Sequence, residues 1–168
     1  MITPAYCQTM ARYNAWQNKG LREMIADIDR EELYRDRGAF FGSIMGTLNH
    51  LLWADTLWIS RFDGGAGPDI PAKDHLQMTP TPAVWSAERF RMDARIRLWA
   101  ESVKTVDLVG DLTWYSGVAG REMVKPISLC VMQLFNHQTH HRGQVHAMLT
   151  SMGLKPNDTD LPFMPEDM

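Results

Sequence analysis

Residues 134–144 read LFNHQTHHRGQ, and this stretch holds half of the six histidines of the chain, namely His137, His140 and His141. The surrounding residues have the apolar spacing of a helix. A helix turns about 100° per residue, so His137 and His141 are about 40° apart and share a face. That face also carries Leu134, Gln144 and Met148. The stretch therefore predicts a long, largely inward-facing helix with polar groups set into it.

Three further segments have helical apolar spacing. Thr-Pro pairs at Thr3 and Thr81 and a serine at Ser43 supply their start signals. The helix with the histidines begins near Pro126 or Ser128 and runs to about Met152, before a glycine. Four long helices predict an all-α four-helix bundle, formed as a single domain over residues 1–168.

The connections between these helices are polar or rich in turn residues. DIDREELYRDRG, after the first helix, reads as a polar connection, and the C-terminal NDTDLPFMPEDM has too many turn residues and prolines for a helix. LTWYSGVAGREMV has aromatic and β-branched residues on both sides of glycines. We therefore expect a short β-hairpin before the last long helix.

Composition excludes several classes of protein. The net charge is −3 at pH 7 and no basic run is present, which argues against nucleic-acid binding. We expect no membrane span and no secretory signal, because no long uncharged apolar window and no basic segment before an apolar run occur. Cys7 and Cys130 read as reduced core thiols, which is compatible with a cytoplasmic protein.

The histidine spacing predicts a metal site. Imidazoles at positions i and i+4 of a helix can both reach one ion, since their Cβ atoms are about 5–6 Å apart. The candidate third ligand is His50, in GTLNHLLWAD on a different helix, with water or substrate in an open fourth position. The alternative from the residues alone is that these histidines are hydrogen-bonded core residues.

The other three histidines are predicted to lie outside the site. His140 is about 100° from His141 around the helix, so it cannot easily share an ion with both neighbours. His146 lies on the opposite face of the helix, and His75 falls in the loop after the second helix. We expect none of the three to bind the metal.

Three stretches of the chain resemble the DinB-like, damage-inducible family. They are ARYNAWQNKGL, RDRGAFFGSIMGTLNHLLWADTLWISRF and FNHQTHHRGQVHAMLTSMGLKPNDTDLP, and NHQTHHRGQ is the most specific element. The resemblance covers most of the chain. It implies an up-up-down-down type of four-helix bundle, often a homodimer, with one divalent metal ion, nickel or zinc. By position, the ligands it implies are His50, His137 and His141.

The wider superfamily of that resemblance includes thiol-dependent S-transferases and an isomerase, in which the metal activates a small thiol. The resemblance thus implies a metal-dependent enzyme that activates a small-molecule thiol or water. No Asp or Glu lies in NHQTHHRGQ, and a thiolate nucleophile needs a general base less than water does, so transfer is favoured over hydrolysis. The alternative is a non-catalytic metal-binding protein of the stress response.

Four residues near the histidines have weaker signals. Gln144 shares the histidine face and could bond a metal water, a substrate or only the core. Asp55 is five residues after the second-helix histidine, so we expect a supporting partner or an inter-helix contact. Arg142 is expected in a surface or dimer-contact salt bridge. Gly143 inside a helix is expected to allow another helix to pack closely.

Overall fold

A computed structural model describes residues 2–167 and contains four long helices. They are α1 (Pro4–Ala26), α3 (Ile44–Asp63), α4 (Pro82–Ser102) and α5 (Ile127–Ser151). A short helix, α2 (Arg30–Tyr34), lies between the first two. The predicted all-α four-helix bundle is confirmed, and the helix bounds agree with the predicted ones to within a few residues.

The predicted start signals cap their helices. The side-chain oxygen of Thr3 accepts a hydrogen bond from the amide of Tyr6 at 3.2 Å, and Ser43 accepts one from Gly46 at 3.0 Å. Thr81 does the same at the start of α4. Each bond satisfies an amide that the helix itself leaves without a partner. Capping chemistry thus explains where α1, α3 and α4 begin, whereas α5 begins after Pro126 without a side-chain cap.

The connecting segments hold the predicted hairpin and one helix that was not predicted. Strands β1 (Asp111–Ser116) and β2 (Arg121–Pro126) pair antiparallel, with Trp114 opposite Met123. The segment read as a polar connection contains α2, so that prediction was wrong for five residues. Leu33 of α2 is buried in the core. The burial of this one side chain accounts for a helix that the polar sequence of the segment did not predict.

Helix directions follow from the contacts between helices. In α1, Asn14 bonds Asp93 of α4, and Arg22, further along α1, bonds Ser86, which comes earlier in α4. These two helices therefore run antiparallel. Asp55 and Asp63 of α3 pair in order with Arg89 and Arg95 of α4, so these run parallel. Ring contacts from Tyr6 to Phe135 and from Tyr13 to Arg142 make α1 and α5 parallel.

The bundle is therefore up-down-down-up, and the up-up-down-down order implied by the resemblance was wrong. Because α3 and α4 are parallel, residues 64–81 must cross back along the full length of α3. A short 3-10 turn in this crossover, Ala72–Gln77, packs against α3. No helix within residues 2–167 is long and apolar enough to cross a membrane.

A buried polar layer crosses the core between α1, α3 and α4. The guanidinium of Arg89 contacts Asp55 at 2.6 Å and Asp93 at 2.9 Å, and all three side chains are buried. Asn18 donates to Asp93 at 2.9 Å. Burial opposes the charge of Arg89, but the two carboxylates outweigh it and raise its pKa. This layer ties three helices together in one register.

Candidate metal centre

Three histidines from two helices meet in one cluster. His50 lies in the second turn of α3, and His137 and His141 lie one turn apart in the middle of α5. Each offers a ring nitrogen, and these nitrogens all lie within 4.8 Å of one another. His141 is buried and the other two are half-buried. The structure thus brings together the three residues that the sequence singled out.

The spacing of the ring nitrogens fits a metal ion. The Nε2 atoms of His50 and His137 are 3.0 Å apart. Two imidazole nitrogens that bind one tetrahedral ion at about 2.0–2.1 Å are separated by about 3.3 Å. The ring centroids of His137 and His141 are 4.4 Å apart, which matches side chains that aim at one point from successive turns.

The cluster favours neutral imidazoles. Burial, helped by the neighbouring histidines, lowers the pKa of His50 to about 3 and that of His137 to about 4. Burial also lowers the pKa of His141, although its bond to Gln144 opposes this. Neutral imidazoles carry a free lone pair at pH 7, which is the form that binds a metal.

Gln144 orients one of the candidate ligands. Its Oε1 lies 2.7 Å from Nδ1 of His141 and accepts the proton of that ring. Nε2 of His141 is then left as the metal-binding atom. The amide nitrogen of Gln144 lies 3.4 Å from Nε2 of His140, which is exposed. The contact of Gln144 is thus with a candidate ligand itself, which goes beyond the core contact considered for it from the sequence.

Phe41 covers the cluster from the loop before α3. Its ring centroid lies 3.9 Å from that of His50 and 5.2 Å from that of His141. Phe41 also lines a cavity of about 410 Å³, together with Ser43 and Leu76. The ring is thus a shared wall between the histidine cluster and this cavity, and a small molecule in the cavity would be separated from the cluster by one side chain.

The structure places His75 against the cluster, and sequence reasoning had missed this. His75 lies in the crossover turn, with its ring centroid 4.9 Å from that of His50. Its Nδ1 contacts the carbonyl oxygen of Ala72 and must donate, because a carbonyl only accepts. Nε2 is therefore an acceptor, and it is buried with no hydrogen-bond partner among the described residues.

Asp55 belongs to the polar layer. Its carboxylate pairs with Arg89 of α4, which makes it an inter-helix partner, the second of the two roles expected for it. His146 also lies outside the group of three histidines, and burial lowers its pKa.

Two expectations for α5 were wrong. Arg142 makes no surface salt bridge: it is 4% exposed, donates to Oδ1 of Asn14 and lies over the Tyr13 ring. Its partners come from α1, at the other end of the sequence, so helical spacing could not reveal them. Gly143 is exposed, and a Cβ added there would have no heavy atom of residues 2–167 within 4 Å outside its own helix and chain neighbours, so no other helix of the chain packs closely there.

Comparison with known proteins identifies a family that this chain matches. The model of the DinB family matches residues 1–167, which is almost the whole chain. Among curated proteins, the chain is similar to Protein DinB of Bacillus subtilis (strain 168). The two are 26% identical over 153 residues, which cover 88% of this chain and 87% of the relative.

Proposed function

Because this chain belongs to the DinB family, we propose that it binds one divalent metal ion and uses it as an enzyme that activates a small thiol or water. The ligands in this proposal are His50, His137 and His141. The observation that carries it is the convergence of three neutral imidazoles from two helices on one point.

The donor set supports nickel or zinc. Imidazole nitrogen suits both ions, whereas magnesium and calcium prefer oxygen ligands. Within residues 2–167, no other His, Cys, Asp or Glu joins the cluster of three. Three protein ligands with a further coordination position are typical of catalytic sites, while structural zinc sites have four protein ligands.

A divalent ion held by neutral imidazoles keeps its full positive charge and would lower the pKa of a coordinated thiol or water. The protein side chains supply the rest. Gln144 holds His141 in one tautomer, and Phe41 shields the cluster from bulk water. Nε2 of His75 is placed to accept a hydrogen bond from a small molecule that enters beside His50.

The surroundings favour thiol transfer over hydrolysis. Asp55, the acidic residue nearest to His50 in the sequence, is paired with Arg89. Within the described chain, no carboxylate takes part in the histidine cluster. A free thiol has a much lower pKa than free water, so a metal-bound thiol depends less on a nearby base to become a nucleophile than metal-bound water does. The two buried free cysteines, Cys7 and Cys130, fit a reducing compartment, and we place the protein in the cytoplasm on that ground.

The cobalt-substituted protein tests this function. We expect a panel of cellular thiols to produce a sulfur-to-cobalt charge-transfer band with one of its members. The band should be absent in the His137→Ala protein and retained in the His146→Ala control.

Two results would contradict the proposal. If cobalt binds but no thiol changes its spectrum, the proposed activation of a thiol is wrong. Hydrolysis by a metal-bound water, or metal binding without catalysis, then replaces it. If the cobalt spectrum shows a closed shell of four protein ligands, the ion has a structural role and the protein is a non-catalytic metal binder.

A further inference from the structure

A second cavity lies on the seam between α3 and α5, beside the hairpin, and its lining is mainly apolar. It has a volume of about 390 Å³ and is lined by Trp58 of α3, Trp114 and Met123 of the hairpin, and Leu129 and Met132 of α5. Leu129 and Met132 are 50% and 40% exposed, so the cavity opens to solvent. We call it the hairpin groove.

The charges of the hairpin groove have one sign. Lys125 lines it, and no Asp or Glu does. In the strand register, Lys125 lies opposite Leu112 and Trp114 lies opposite Met123, so Lys125 is on the face of the hairpin that is turned toward the helices. Lys125 is exposed, so its ammonium stands at the open side of the groove, where an anion can reach it.

A second cation lies beside the groove. The guanidinium of Arg61 lies 4.5 Å from the ring centroid of Trp58 and 5.1 Å from that of Trp114. Burial lowers its pKa. Neither Arg61 nor Lys125 has a carboxylate within ion-pair distance among residues 2–167, in a chain with more acids than bases.

We propose that the hairpin groove binds a small apolar carboxylate, with the apolar body packed against Trp58 and Trp114, whose rings touch edge to face at 5.6 Å between centroids, and the carboxylate at Lys125. The volume falls in the usual range of small-molecule sites, roughly 300–1,000 Å³. Aromatic walls take an aromatic or branched aliphatic body, and a lysine offers three donors to a carboxylate. Lys125, which has no carboxylate partner among residues 2–167, selects the anion over its neutral analogue.

The groove and the histidine cluster share one seam of the bundle. Cys130 in the groove precedes His137 by seven residues, which is about 10 Å of helix at 1.5 Å per residue. The other end of the groove reaches Asn136, the residue before His137. Binding in the groove does not require a metal, so this inference stands apart from the proposed function.

Calorimetric titration of the chelator-treated protein with 4-phenylbutyrate and 4-phenylbutanamide tests the site. The two probes have nearly the same shape and differ in charge. We expect saturable binding of the acid and at least tenfold weaker binding of the amide. The variant Lys125→Glu should reduce acid affinity at least tenfold and leave amide affinity unchanged, a pattern that a folding defect cannot mimic.

The matched control is Lys155→Glu, which makes the same charge change at an exposed position after the other end of α5 and should leave acid affinity unchanged. Equal affinity for acid and amide, no saturable binding in the millimolar range, or an unchanged Lys125→Glu protein would overturn the proposal. A sedimentation result would also overturn it: if the protein is a dimer that dissociates when Met132 is replaced by Glu, this face is an interface between two copies.

Discussion

At the residue scale, Gln144 is the side chain that decides which nitrogen His141 presents. Its Oε1 accepts the Nδ1 proton at 2.7 Å. The variant Gln144→Leu should therefore weaken metal affinity by about 10–100-fold without abolishing binding, since supporting partners of metal ligands have effects of this size. Competition with a chelator of known affinity measures the change. His140→Leu is the control, and an affinity loss as large as that of Gln144→Leu would contradict the assignment.

The lowered histidine pKa values predict the pH dependence of stability in the metal-free protein. His50 titrates at about 3 and His137 at about 4 in the folded chain, whereas an unfolded histidine titrates near 6.5. Between these values the unfolded chain binds protons that the folded chain does not. Their contribution to stability is therefore present above about pH 6.5 and is lost as the pH falls toward 4.

Urea unfolding between pH 7 and pH 4.5 measures this loss. The double variant His50→Gln, His137→Gln should show a shallower decline of the free energy of unfolding over the same range. Parallel curves for the two proteins would show that these histidines do not titrate with the assigned pKa values.

At the scale of elements, the middle of α5 contains a glycine that neither its backbone angles nor a close contact with another of residues 2–167 requires. Gly143 has no positive φ, is exposed and has open space where a Cβ would lie. Gly143→Ala should stabilise the protein by about 0.5–1 kcal/mol, because alanine loses less backbone entropy in a helix. Thermal unfolding measures it. Gly64→Ala, at φ 70° after α3, is the control and should destabilise.

Features formed by contacts between neighbours in the sequence could be predicted, whereas features formed by contacts between distant parts of the chain could not. Caps and helical spacing are local, so the starts of α1, α3 and α4 and the shared face of His137 and His141 followed from neighbouring residues. The burial of Arg142 against Asn14 and the approach of His75 to His50 depend on how the chain crosses back in space. No local pattern marks either one, and the parallel packing of α3 and α4 produces the second.

At the scale of the whole molecule, the homodimer stays a prediction, and one face suits it. Phe90 and Leu98 on α4 are 60% and 67% exposed beside a cavity of about 360 Å³ between α1 and α4. Arg22 lies near Phe90, and Glu101 lies about three turns further along α4. An antiparallel second copy would bring Phe90 against Leu98 and Glu101 against Arg22.

Sedimentation equilibrium at micromolar concentration checks the dimer. We expect twice the 19.2 kDa chain mass, and the chain mass alone for Leu98→Lys. Val106→Lys, at an exposed position in a short turn after α4, should remain dimeric. A wild-type protein that sediments only as the single chain would contradict the prediction.

The central claim is that three histidines hold one divalent ion, and elemental analysis of protein purified without a histidine tag tests it most directly. We predict about one nickel or zinc per chain in the wild type and in His146→Ala. Alanine at His50, at His137 or at His141 should reduce this to a small fraction. Undiminished metal in the His137→Ala protein, or a wild type that takes up none when metal is supplied, would contradict the account.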